Sequence, residues 1–105
     1  MISILLFYTV SQFALASDKS VEVVIQDGRF QPSLIELKST DNITLNLTNK
    51  GLDAEEFEST QLNKEKMILP GKTVKIKIGT LRPGEYKFFG EFHPTTAQGL
   101  LKITD

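Results

Sequence analysis

The chain has 105 residues, room for one domain and no more, and its 40% apolar content supports a single core rather than a disordered tail. Twelve basic and thirteen acidic side chains are interspersed and leave a net charge of −1, which excludes a basic field for nucleic acid or an anionic membrane surface. The lack of any cysteine excludes disulfides, thiolate zinc sites, cysteine nucleophiles and iron–sulfur ligation.

The first segment, Met1 to Ala16, carries no charged side chain, contains the apolar run Ile4-Leu5-Leu6-Phe7-Tyr8-Thr9-Val10 and ends in Ala14-Leu15-Ala16. An apolar run followed by a small-x-small triplet is what signal peptidase reads. Residues 1–16 are therefore expected to be a signal peptide, cleaved after Ala16, that delivers the domain at 17–105 to the periplasm. The run is shorter than the ~20 apolar residues that span a bilayer. No Lys or Arg precedes it, so an uncleaved anchor or a different start codon remains the alternative.

From Ser20 onward the apolar period is two, which predicts strands. Val21, Val23 and Ile25 alternate with more polar residues, as do Ile35 and Leu37, then Ile43, Leu45 and Leu47. Farther on, Val74, Ile76 and Ile78 alternate with Lys75 and Lys77, followed by Tyr86 and Phe88 and by Leu101 and Ile103. Turn chemistry bounds these runs at Asp27-Gly28, Asp41-Asn42, Asn49-Lys50-Gly51, Pro70-Gly71 and Pro83-Gly84. Short strands at this spacing predict an all-β sandwich or barrel. Gln61 to Lys66 is polar without alternation and is expected to be a loop or a single helical turn. Met67, beside Ile68 and Leu69, is expected in the core.

Polar residues that break the pattern gather in two places. In Glu55-Glu56-Phe57-Glu58, Glu56 and Glu58 project to one face of a strand while Phe57 points to the core. Two carboxylates so placed repel when ionised, and a bound cation relieves that repulsion. The second place, Gly90-Glu91-Phe92-His93-Pro94, holds the single histidine, in the loop before the last strand. Each has a plainer reading. The glutamates can form a solvated strand face that discourages aggregation, and His93 can be a loop histidine bonded to backbone.

Pro83-Gly84-Glu85-Tyr86-Lys87-Phe88-Phe89, the loop after it and a Gly-led closing strand resemble the framework of blue-copper cupredoxins, which implies an all-β Greek-key sandwich of seven to eight strands. Laid on that pattern, His93 falls on the loop histidine, Gly90 on the cysteine, Ala97 or Gln98 near the methionine, and Glu55 or Glu56 on the first histidine. One of four copper ligands is thus retained, and without a thiolate no blue-copper centre can form. Glu56-Phe57-Glu58, Glu65 ahead of Pro70-Gly71, and Tyr86 to Phe89 resemble more narrowly the cupredoxin-like domain of EfeO-type and FtrB-like periplasmic iron-uptake proteins. That resemblance implies metal ligation by Glu56, Glu58, Glu65 and His93, with an iron or copper ion as the bound species, and the meeting of loops at one end of a Greek-key sandwich is expected to bring Glu91 to the same set. Carboxylates and one imidazole suit iron, manganese, zinc or copper(II).

The function expected is periplasmic metal binding that assists iron uptake by taking a transition-metal ion and handing it on, with an iron permease or other uptake component as partner. The alternative is a metal-free cupredoxin-fold domain that docks on such a permease. No nucleophile–base pair, phosphate loop or redox cysteine is present, so ferroxidase activity is the one enzymatic option left open.

Overall fold

The computed structural model describes residues 3–5 and 15–105, so the expected signal peptide lies for the most part outside the described residues. Among the described residues nine strands form two sheets. They are β1 (Ser17–Gln26), β2 (Arg29–Gln31), β3 (Leu34–Lys38), β4 (Asp41–Asn49), β5 (Glu55–Ser59), β6 (Lys64–Ile68), β7 (Thr73–Gly79), β8 (Gly84–Gly90) and β9 (Gln98–Thr104). One sheet runs β2-β1-β4-β7 and the other β3-β9-β8-β5-β6. The pairs β1–β4 and β3–β9 are parallel and the rest antiparallel.

The alternation read from the sequence is the alternation of burial. In β4, Ile43, Leu45 and Leu47 are buried, and in β7 Ile76 is buried while Lys75 and Lys77 face solvent. Phe30, Phe57 and Phe88 meet at the centre of the core. The rings of Phe57 and Phe88 stack at 5.1 Å, and Phe30 meets both edge-on at 6.2 and 5.2 Å. Ile35, Leu101 and Ile103 extend this core along the second sheet.

Three expectations need correction. Nine strands replace seven to eight, one of them being the three-residue β2, which follows from the Asp27-Gly28 turn. Both of those residues have positive φ (54° and 65°), the backbone of a tight two-residue hairpin that turns β1 straight into a partner. The second half of Gln61 to Lys66 is not a loop, because β6 begins at Lys64. It is an edge strand that overhangs the core, so only Ile68 of its five residues is buried and no alternation shows. Met67 is 45% exposed, opposite Glu56 on the outer face, and is not a core residue.

Candidate functional site

Strand β5 carries two different sites on its two faces. Phe57 is fully buried, and the two-residue period that turns it inward turns Glu55 and Ser59 inward as well, at 1% and 2% exposure. Glu56 and Glu58 point the other way and are half-buried.

On the outer face, β5 pairs with β6 so that Glu58 lies opposite Glu65. Glu56, Glu58 and Glu65 bring carboxylate oxygens within 4.8 Å of one another. Among the described residues this is the set of three metal-ligating side chains so gathered. Glu91 joins them electrostatically from the far side of β5, where its amide donates to the Glu56 carbonyl at 2.9 Å. Like charges facing each other across strands are unfavourable unless something neutralises them. Protons do so here. A hydrogen bond shared with Glu91 pushes the Glu58 carboxyl up to about 7, aided by partial burial and by the charges of Glu91, Glu65 and Glu56. A hydrogen bond shared with Glu65 raises Glu56 in the same way, with smaller contributions from burial and from Glu65, Glu91 and Glu55.

On the inner face, at the pole of the sandwich, Glu55 is hydrogen-bonded on every side. Its Oε1 accepts the amides of Glu56 (3.0 Å) and Phe92 (2.9 Å), and its Oε2 faces His93 Nδ1 at 2.6 Å. With the carboxylate as acceptor, Nδ1 is the ring nitrogen that carries the proton. The loop that presents His93 is itself braced. The His93 amide donates to the Gly90 carbonyl, and the Ala97 amide donates to the His93 carbonyl at 2.8 Å. Thr96 Oγ1 donates to the Gly28 carbonyl at 2.6 Å, tying the β1–β2 turn to the same loop. Asn49 closes the other side: its buried amide donates to the carbonyls of Asp53 and Ile68 and accepts from the Gly51 amide. An open cavity of about 470 Å³ lies between these loops, with Glu55, His93, Asp27 and Asp53 in its wall.

The structure therefore gathers Glu56, Glu58 and Glu65, with Glu91 beside them, and places His93 with Glu55 on the opposite side of the strand. Asn49 is a residue that the sequence reading passed over, and Glu55, named there only as falling near the first-histidine position, was left out of the ligand set. For Glu55 the signal was available, because parity with Phe57 puts it inside. A run of three glutamates in four residues nonetheless reads first as a solvated face.

The match to known proteins agrees with this architecture. The family model for the cupredoxin-like domain matches residues 1–103. An uncharacterised protein of Rickettsia prowazekii (strain Madrid E) is 38% identical over 85 residues, covering 81% of this chain and 68% of that protein. Among solved structures, auracyanin A, a "blue" copper protein from Chloroflexus aurantiacus, superposes with a TM-score of 0.72 at 10% identity, covering 84% of this chain and 100% of its own. A purple cupredoxin from Nitrosopumilus maritimus superposes at 0.64 with 18% identity, over 80% of this chain and 99% of its own. Two layered sheets, a pole built from the β8–β9 loop and the family match together make this chain a member of the cupredoxin-like domain family.

Proposed function

We propose that this protein is a periplasmic metal-binding member of the family that takes up a hard transition-metal ion, iron foremost, and hands it on to an uptake permease. The ion is held at Glu56, Glu58, Glu65 and Glu91. The observation that carries this reading is the convergence of three carboxylates from β5 and β6 within 4.8 Å, at half-buried to exposed positions. An all-oxygen set selects hard ions such as iron and manganese over copper(I). Its openness lets ligand exchange proceed, which suits delivery rather than electron transfer. The uncharged, apolar N-terminal run and its Ala14-Leu15-Ala16 triplet support a periplasmic setting. The narrower resemblance to iron-uptake proteins supports iron as cargo.

A copper centre of the blue type does not fit the pole. No cysteine exists to supply a thiolate. A Cβ placed on Gly90 would lie 2.6 Å from Glu55 Cδ and 2.8 Å from Ala97 Cβ, closer than packed atoms approach. Copper(II) at the outer carboxylates remains within the donor chemistry.

Calorimetric titration of the mature chain with iron(II) under anaerobic conditions, and with manganese(II), tests the proposal. One ion per chain is expected, with affinity in the micromolar range or tighter. The double substitution Glu56→Gln/Glu58→Gln should abolish the heat, whereas His93→Ala should leave it intact. Because Glu58 holds a proton up to about pH 7, affinity should fall with decreasing pH below 7, by as much as ~10-fold per unit while one proton is displaced. Absence of heat with iron, manganese, zinc and copper ions would refute the reading.

A second reading has its own observation. Leu52 is 96% exposed and borders the pole cavity that His93 also lines, and Phe92, next to His93, is 48% exposed. Apolar side chains so presented suit docking on a permease without metal. Leu52→Ser/Phe92→Ser should then abolish co-purification of the permease while leaving ion binding unchanged.

A further inference from the structure

The copper proteins that share this fold invite a metal at the pole, and the residues found there disagree. We propose that Glu55 closes the gap between β5 and the β8–β9 loop from within. Its carboxylate fills the space that a side chain at position 90 would need, and its hydrogen bond to His93 Nδ1 denies that nitrogen to any ion. The pole is thus a lock that fastens the β8–β9 loop to β5 and leaves an ion no seat between Glu55 and His93 Nδ1.

Three observations converge on this. First, Glu55 is 1% exposed and partnered at both oxygens, by two backbone amides and by one imidazole nitrogen. An ion entering between Oε2 and Nδ1 would have to break a 2.6 Å contact and leave a buried carboxylate to reorganise. Second, Gly90 has an ordinary φ, so its lack of a side chain answers to crowding rather than to backbone geometry. A Cβ there would meet Glu55 Cδ at 2.6 Å, Glu55 Oε2 at 2.8 Å and Ala97 Cβ at 2.8 Å. A glutamate at 55 and a glycine at 90 are therefore two halves of one arrangement. Third, the lock is backed by the β1–β2 turn. A Cβ on Gly28 would approach His93 Cδ2 at 3.2 Å and Thr96 Oγ1 at 3.1 Å, so the bare glycine is what lets this turn pack against the imidazole.

This inference uses other residues than the outer carboxylate cluster, so either can fail alone. The first measurement is nitrogen-15 NMR of the His93 ring in the intact mature chain during titration with zinc(II), a diamagnetic probe. Nδ1 should carry its proton before zinc is added and keep both its proton and its chemical shift at one equivalent. Loss of that proton with movement of Nδ1 to a metal-bound shift would overturn the proposal, whatever happens at Glu56 and Glu58. The second measurement concerns space. Gly90→Ala should lower the melting temperature by about 10 °C in the native background and by less than half as much in Glu55→Ala, because neighbours that share a volume are not additive. Equal losses in both backgrounds would overturn it. Should Glu55→Ala fail to fold, the zinc titration of the unaltered chain still decides.

Discussion

At the scale of single residues, the outer cluster makes the fold pH-sensitive in a direction that can be worked out. Unfolding returns the Glu58 carboxyl from about 7 to its ordinary 4.5. Between those values the folded chain holds a proton that the unfolded chain has released, so stability declines as pH rises through this window. Above pH 7 both states are ionised and the repulsion is felt in full. Glu58→Gln removes it, and should raise the melting temperature at pH 8 while leaving it unchanged below pH 4.5. Thermal melts at the two pH values check this, and a constant offset would contradict it. The buried polar groups behave oppositely. Asn49→Ala strands the Gly51 amide and two carbonyls, one of them from Ile68 in the core, and should cost about 2 kcal/mol in chemical denaturation. Residue identity alone did not show this, since Asn49 opens an Asn-Lys-Gly stretch that reads simply as a turn.

At the scale of elements, the strands with a core face were legible and the edge strand was not. Strands β1, β4, β7 and β9 announce themselves because each alternates over a buried face, and the second sheet's β8 does so through Tyr86 and Phe88. Strand β6 has a single buried residue, so its strand character comes from pairing with β5 rather than from its own pattern. That pairing decides the candidate site. The β5–β6 register, not the sequence spacing of Glu58 and Glu65, sets the two carboxylates face to face. His93 shows the converse limit: its loop was legible, but not the face of β5 it would meet. A charge reversal at the edge separates the two roles of this hairpin. Glu65→Lys should place opposite charges across from each other, raise the melting temperature at pH 8, and abolish ion binding. A variant that gains stability and keeps full ion affinity would show that Glu65 is no ligand.

At the scale of the whole molecule, one short strand joins both sites to the core. Phe57 stacks on Phe88, while its neighbours reach the pole on one side and the carboxylate cluster on the other. Such a strand cannot shift to favour one site without dragging the aromatic core, so the carboxylates are held close together whether or not an ion is present. The repulsion is built into the folded state, and a cation that binds only that state must stabilise it by mass action. At an ion concentration about a hundred times the dissociation constant the gain is ~2.7 kcal/mol, which for a domain of this size corresponds to a rise of roughly 10–20 °C in melting temperature. Chelator should return the melt to its starting point. The double substitution Glu56→Gln/Glu58→Gln should melt higher than the native chain in the absence of ion at pH 8, and should not respond to ion or chelator. Scanning calorimetry on the two proteins, each with iron(II) or manganese(II) and then with chelator, reads all four states. A native chain that is indifferent to the ion, with a double variant no more stable than it, would mean that the carboxylates are neither strained by one another nor relieved by a cation.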